Sequence, residues 1–283
     1  MKIKIVHLLI LALTIQGFAQ PKKEINLPKG GKDIKINRVT GLYSLYVTKN
    51  QEVYNDDKRL EYYQDINYTY LNQFYKNISY GDPLVLIYAD NKTPYRFVSK
   101  IKEYIPGHRW IFYMTENIEG LKATAFGNYA PDKNLALEEI ITLDDEIKIK
   151  KFNDSVSSPP LPPPNMWYDD FVQTIYSGNK EAIQEALKNY AHSVINISQI
   201  KKLDDNKLVL DKEFVKNAIK NNNIVFLRFD DSTLYEDYIF VIQKIKEVLI
   251  ELEKLDENIA YVIEISNQLN NLFENLSIQL GQK

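Results

Sequence analysis

Apolar residues recur along this chain at two spacings, and the switches between them lay out its elements. Leu42-Tyr43-Ser44-Leu45-Tyr46-Val47 is rich in strand-forming residues. Glu52-Val53-Tyr54 returns after the polar turn at 48–51, which predicts a hairpin. Ile66, Tyr70, Leu71 and Phe74 fall at helical intervals, and Gly81-Asp82-Pro83 stops that helix. Leu84-Val85-Leu86-Ile87-Tyr88 reads as a short buried strand. Thr93-Pro94 then opens a helix, with Thr as cap and Pro at the first helical position. That helix buries Tyr95, Val98, Ile101 and Ile105 and ends at Pro106-Gly107. Trp110-Ile111-Phe112-Tyr113-Met114 closes a β-β-α-β-α-β unit.

The second half opens with helical spacing over 168–176 and 180–190. Ser193-Val194-Ile195-Asn196-Ile197 and Lys207-Leu208-Val209-Leu210 read as strands, and Asp211 caps a helix over 212–220. Ile224-Val225-Phe226-Leu227-Arg228-Phe229 is a second buried strand. A long amphipathic helix over 233–255 follows, with Tyr238, Val241, Ile242, Ile245, Val248, Leu249 and Leu252 on one stripe. Residues 259–265 read either as a closing strand or as more helix, and the tail to Leu280 is again helical.

The two buried strands are echoes of one another. Leu84 to Tyr95 and Ile224 to Tyr235 are both an apolar run ending in Asp (Asp90, Asp230), with Thr at the third following position and Tyr at the fifth (Tyr95, Tyr235). Self-similarity of this kind points to a duplicated module. The expected architecture is therefore α+β: module 1 over 41–152 with a C-terminal insert, and module 2 over 166–283 with an extra C-terminal helical segment. Residues 120–132 read as loop, and the insert carries an alternating stretch at Glu146-Ile147-Lys148-Ile149-Lys150. Between the modules, 153–165 holds Pro159-Pro160-Leu161-Pro162-Pro163-Pro164, a stiff polyproline spacer rather than a ligand for a partner domain.

Composition narrows the class. A net charge of −3, from 35 basic and 38 acidic residues, offers no argument for nucleic acid. The absence of Cys excludes disulfides, thiol catalysis and zinc-thiolate sites. Met1-Lys2-Ile3-Lys4, the apolar run from Ile5 to Leu13 and Gly17-Phe18-Ala19 have the three-part layout of an export signal over 1–19. The alternative is an uncleaved anchor, although the apolar run is shorter than the roughly 20 residues of a spanning helix. The basic stretch over 20–40 has little apolar content and is expected to be extended or flexible.

The element order, with its apolar strand, Ala-Asp, Pro-Tyr and amphipathic helix, resembles the periplasmic domain of the ExbD/TolR family of biopolymer-transport proteins. Three pieces carry the resemblance. Ile25-Asn26-Leu27-Pro28-Lys29 is similar to the stretch after the family's membrane helix. Leu45 to Tyr54 is similar to its first hairpin, and Leu84 to Tyr95 to its third strand and second helix. The resemblance covers 25–116 and, more weakly, 193–252. It implies a non-enzymatic envelope or periplasmic component that meets ExbB/TolQ- or TonB/TolA-like proteins, with a homodimer or partner capture through a sheet edge. The family's membrane-embedded acidic residue has no counterpart, because Met1 to Gln20 contains no Asp or Glu. Proton coupling therefore transfers to no residue here.

Asp90, Tyr95, Asp230 and Tyr235 are the candidate partner-contact residues. The competing reading gives them structural work: Asp accepting backbone N–H groups where a strand leaves the sheet, Tyr packing on the first helical turn. Other chemistry leaves little trace. There is no phosphate loop, no dinucleotide fingerprint and no Gly-x-Ser-x-Gly elbow, so no cofactor or metal is expected. His108 and His192 are each isolated and read as solvent-exposed. The pairs Asp56-Asp57, Asp144-Asp145, Asp169-Asp170, Asp204-Asp205 and Asp230-Asp231 read as solvated turns. The alternative function is a secreted hydrolase whose paired acids face each other across a cleft, or an exported interaction domain unrelated to transport.

Overall fold

A computed structural model describes residues 24–33, 42–76, 84–105, 111–116, 122–126, 171, 173–175, 177–197, 201–204, 207–255, 259–278 and 280. The export signal, Glu146-Ile147-Lys148-Ile149-Lys150, the polyproline spacer and His108 lie outside them. The protein is α+β, with mixed and parallel sheets and several helices. No helix among the described residues is long and apolar enough to cross a membrane.

Seven strands form the first sheet: β1 (Lys32–Asp33), β2 (Leu42–Val47), β3 (Val53–Asn55), β4 (Lys58–Leu60), β5 (Leu84–Ala89), β6 (Ile111–Thr115) and β7 (Lys122–Phe126), in the order β1-β7-β6-β5-β2-β3-β4. The centre, β6-β5-β2, is parallel; the flanking strands are antiparallel. β2 alternates, with Tyr43, Leu45 and Val47 buried and their neighbours half-exposed, as one face of a sheet requires. Helices α1 (Tyr63–Lys76) and α2 (Tyr95–Lys102) supply the crossovers. The expected loop over 120–132 is corrected in part: 122–126 is a strand, paired antiparallel to β6 from Ile111 to Thr115. Lys-Ala-Thr-Ala-Phe carries little strand signal of its own, and its partner's ladder decides its state.

The second half carries a three-stranded parallel sheet, β12-β11-β8, built from β8 (His192–Asn196), β11 (Ile224–Arg228) and β12 (Tyr261–Glu264). Residues 261–264 are thus strand rather than continued helix. A separate hairpin pairs β9 (Lys201–Asp204) with β10 (Lys207–Leu210). Helix α3 (Lys180–Asn189) precedes β8. Helices α4 (Lys212–Asn221) and α5 (Tyr235–Lys254) follow β10 and β11, and α6 (Asn267–Asn275) follows β12. Asp211 caps α4 by accepting from the Phe214 amide, and Ser266 caps α6 through Leu269.

α5 explains how the halves meet. Its stripe Tyr238, Val241, Ile242, Ile245, Val248, Leu249 and Leu252 is buried throughout. It belongs to one apolar core that also holds Tyr43, Val85, Val98 and Ile101 from the first half and Val225 and Val262 from the second. Burying each such side chain stabilises by about 1.5–3 kcal/mol, so this helix joins the two sheets. The other face of the second sheet has its own core, where Ile224, Phe226 and Ile263 pack with Ile183, Leu187, Leu269 and Phe273.

Candidate functional site

The two strand-Asp-Thr-Tyr-helix junctions meet in space. β5 ends at Ala89, and the Asp90 amide donates to the Val47 carbonyl (2.9 Å) while the Asp90 carbonyl accepts from Thr93 (2.9 Å). Pro94 stands at the N-cap of α2 with φ −57° and no side-chain cap bond, so the helix begins at Tyr95. The second junction repeats this turn: the Asp230 carbonyl accepts from the Thr233 amide at 2.9 Å. The junctions then exchange bonds. The Tyr95 amide donates to the Thr233 carbonyl, and the Tyr235 amide to the Thr93 carbonyl, each at 2.8 Å. Pro94 and Leu234 face each other as an isolated antiparallel bridge. Such reciprocity, with each partner doing to the other what is done to it, is the signature of a two-fold contact.

Placement differs among the four candidate residues. Asp90 is fully buried; its carboxylate accepts from the Asn26 amide (2.9 Å), the Asn26 side chain (3.4 Å) and the Lys92 amide (3.0 Å). Asp230 is exposed. Tyr95 and Tyr235 are both buried between the halves, where Tyr95 stacks on Tyr238 with ring centres 3.8 Å apart. The junctions bring Tyr95 and Tyr235 together; Asp90 and Asp230 stay on separate turns.

Behind the bridge lies a closed polar cluster that the sequence reading does not single out. Lys102, near the end of α2, sends its ammonium to Glu264 Oε1 at 2.7 Å, to the Tyr95 hydroxyl at 2.9 Å and to the Tyr113 hydroxyl at 3.3 Å. Glu264, at the end of β12, also accepts from Tyr95, and from Tyr238 at 2.9 Å. The Tyr113 and Tyr238 hydroxyls lie 3.0 Å apart. All three ammonium protons are thereby used, and both carboxylate oxygens have donors. The side chains of Lys102 and Glu264 are only 13% and 9% exposed. Burial pulls the Lys102 ammonium below its ordinary range and pushes the Glu264 carboxyl above its own. Direct contact between the two, with the hydroxyl donors, favours the charged forms and so opposes that desolvation. Burial also raises the hydroxyls of Tyr113, Tyr235 and Tyr238, which keeps them protonated. A signal for the cluster exists in the sequence: Lys102 falls between Val98 and Ile105 on the apolar stripe of its helix, and Glu264 ends an apolar run.

The N-terminal segment is positioned at the same end of the first sheet. Asn91 donates to the Asn26 carbonyl (2.7 Å), Glu116 to the Pro28 carbonyl (2.9 Å), and Gly30 to the Glu116 carboxylate (2.9 Å). Gly30 adopts φ +99° against Gln243 of α5, where a Cβ would lie 2.3 Å from Oε1. At the carboxyl ends of β11 and β12 is an open groove of about 600 Å³, rimmed by Arg228, Asp230, Asp231 and Glu274 over Phe273 and Ile278. Asp231 on that rim pairs with Arg96 of α2 at 2.7 Å. His192 is half-buried, its Nδ1 3.1 Å from the Tyr190 carbonyl oxygen. No group of three acidic or imidazole side chains among the described residues is arranged to hold a metal. Comparison with protein-family models, with characterised proteins and with solved structures finds no match.

Proposed function

We propose that this chain is a non-enzymatic protein-interaction component of the cell envelope, built from two ExbD/TolR-like units that pair with each other inside one polypeptide. Support for two copies comes from order and register. Each half runs strand, hairpin, helix, strand, helix, strand, and its three main strands lie parallel with the strand after the second crossover first, the middle strand central and the opening strand last. The spacer over 153–165 connects the copies. The resemblance then suggests partners of the ExbB/TolQ or TonB/TolA kind, in the periplasm or at the membrane that faces it.

One observation carries the binding role. In the first sheet the outer edge of β2 is covered by β3. In the second, the hairpin β9–β10 forms its own sheet, and β8 ends the three-stranded order with no further strand bonded to it among the described residues. An open edge of this kind captures an extended partner segment through main-chain hydrogen bonds. The test is a photoreactive residue at Val194 in cells, with Lys244 on α5 as control. Cross-linking to an ExbB/TolQ- or TonB/TolA-like protein from position 194 alone supports the reading. Identical patterns from both positions, or none from 194, would refute it.

A further inference from the structure

The polar cluster is asymmetric across a contact that is otherwise reciprocal. Val85 pairs with Ile111, and its echo Val225 pairs with Val262. Glu264 in the second half therefore occupies the position of Tyr113 in the first. Lys102 lies as far beyond Asp90 as Ile242 lies beyond Asp230, so its counterpart is apolar. Each half thus contributes one member of an ion pair, and neither contributes both. From this, and resting on the two-unit reading above, we propose that Lys102 and Glu264 are the specificity code of the pairing face: they reserve it for the complementary half and forbid contact between like halves of two copies of this chain.

The alternatives show why. Two first halves joined in the same geometry would set each Lys102 against Tyr113 of the other copy, two buried ammoniums without the contact that Glu264 makes. Two second halves would set each Glu264 against Ile242, two buried carboxylates without the contact that Lys102 makes. A buried charge without a partner is far costlier than a satisfied pair. The mixed pairing is the one arrangement that buries both charges in contact. It should be favoured over either like pairing by about a hundred-fold or more. The exchanged main-chain bonds are the same on both sides and carry none of that discrimination. Among the apolar positions, Tyr238 stands where the first half has Val98 and works in the same direction, since it stacks on Tyr95 and donates to Glu264. A second copy of the chain can then use this face in one way only: by reciprocal exchange, first half with second half in both directions.

Exchange of charges between two full-length chains tests this. One carries Lys102→Glu and the other Glu264→Lys. Within each variant the two facing groups have like charge, and each alone should melt about 8 °C or more below the parent. Between the variants both contacts are complementary. Co-expressed with different tags, they should form a 1:1 heterodimer by native mass spectrometry, with most of the lost melting temperature restored. Two tagged copies of the parent chain should form none. Failure of the variants to associate or to rescue one another, whether they fold singly or aggregate, overturns the code. A separate measurement isolates the two-unit reading: a protease site placed within 155–165 of the parent chain. Fragments that separate on cleavage refute the pairing of halves itself; fragments that stay together while the variants fail to rescue refute the code alone.

Discussion

Asp90 and Asp230 hold equivalent places in the repeated segment, yet replacing each with Ala should have very unequal effects. The Asp90 carboxylate is fully buried and accepts three hydrogen bonds, two from the backbone amides of Asn26 and Lys92 and one from the Asn26 side chain. Asp90→Ala removes the acceptor and leaves both amides at a shielded turn without it. Each unsatisfied amide costs about 1–2 kcal/mol at such a part-buried site, so the loss should be about 3 kcal/mol. The Asp230 side chain is exposed, and the bond that matters there is the one its carbonyl accepts from the Thr233 amide, which Ala retains. Asp230→Ala should cost about 0.5 kcal/mol or less. Urea denaturation followed by far-ultraviolet circular dichroism gives both values. Because Asp90 also ties down Asn26, Asp90→Ala should speed tryptic cleavage after Lys29, and Asp230→Ala should not. Equal costs at the two positions, or a larger cost at Asp230, would refute the reasoning.

Other substitutions exploit similar contrasts. Tyr95→Phe removes a hydroxyl bonded to both Glu264 and Lys102 and should cost about 1–2 kcal/mol in urea titration. Tyr235→Phe removes a buried hydroxyl that has no partner among the described residues and should leave stability unchanged or slightly raised. Gly30→Ala places a Cβ against Gln243 at a positive φ and should lower stability by about 1–2 kcal/mol, read by the same titration. Lys212 and Lys216 hold Glu251 down from 4.5 to about 2. A lowered carboxylate contributes stability that is present above 4.5 and is lost as pH falls toward 2. Glu251→Gln should therefore flatten the melting temperature against pH across that interval.

Local pattern made much of the fold legible. The alternation in Leu42 to Val47, the run Leu84 to Tyr88, the cap at Asp211 and the apolar stripe of α5 each state an element and its buried face. What local pattern could not state was pairing. Lys122 to Phe126 lacks a strand's composition and becomes one because β6 offers a ladder. Residues 259–265 suit strand or helix, and the register with β11 chooses. Glu24 to Asp33 has almost no apolar signal, since its docking relies on backbone groups meeting Asp90, Thr115 and Glu116, all distant in sequence. The repeat drew attention to Tyr95 and Tyr235, and these do lie where the halves touch. It could not reveal Lys102 and Glu264, because the cluster depends on what differs between the copies.

The face-to-face contact of the two junctions is open to direct trapping, since the chain has no Cys of its own. Pro94 and Leu234 are opposed between the two exchanged hydrogen bonds, a position where Cα atoms lie about 4.5 Å apart and a disulfide fits. The double variant Pro94→Cys/Leu234→Cys, oxidised at low protein concentration and mapped by mass spectrometry, should give a monomer with an internal cross-link in nearly every molecule. Thiols that stay free, or that link only between chains, would contradict the account.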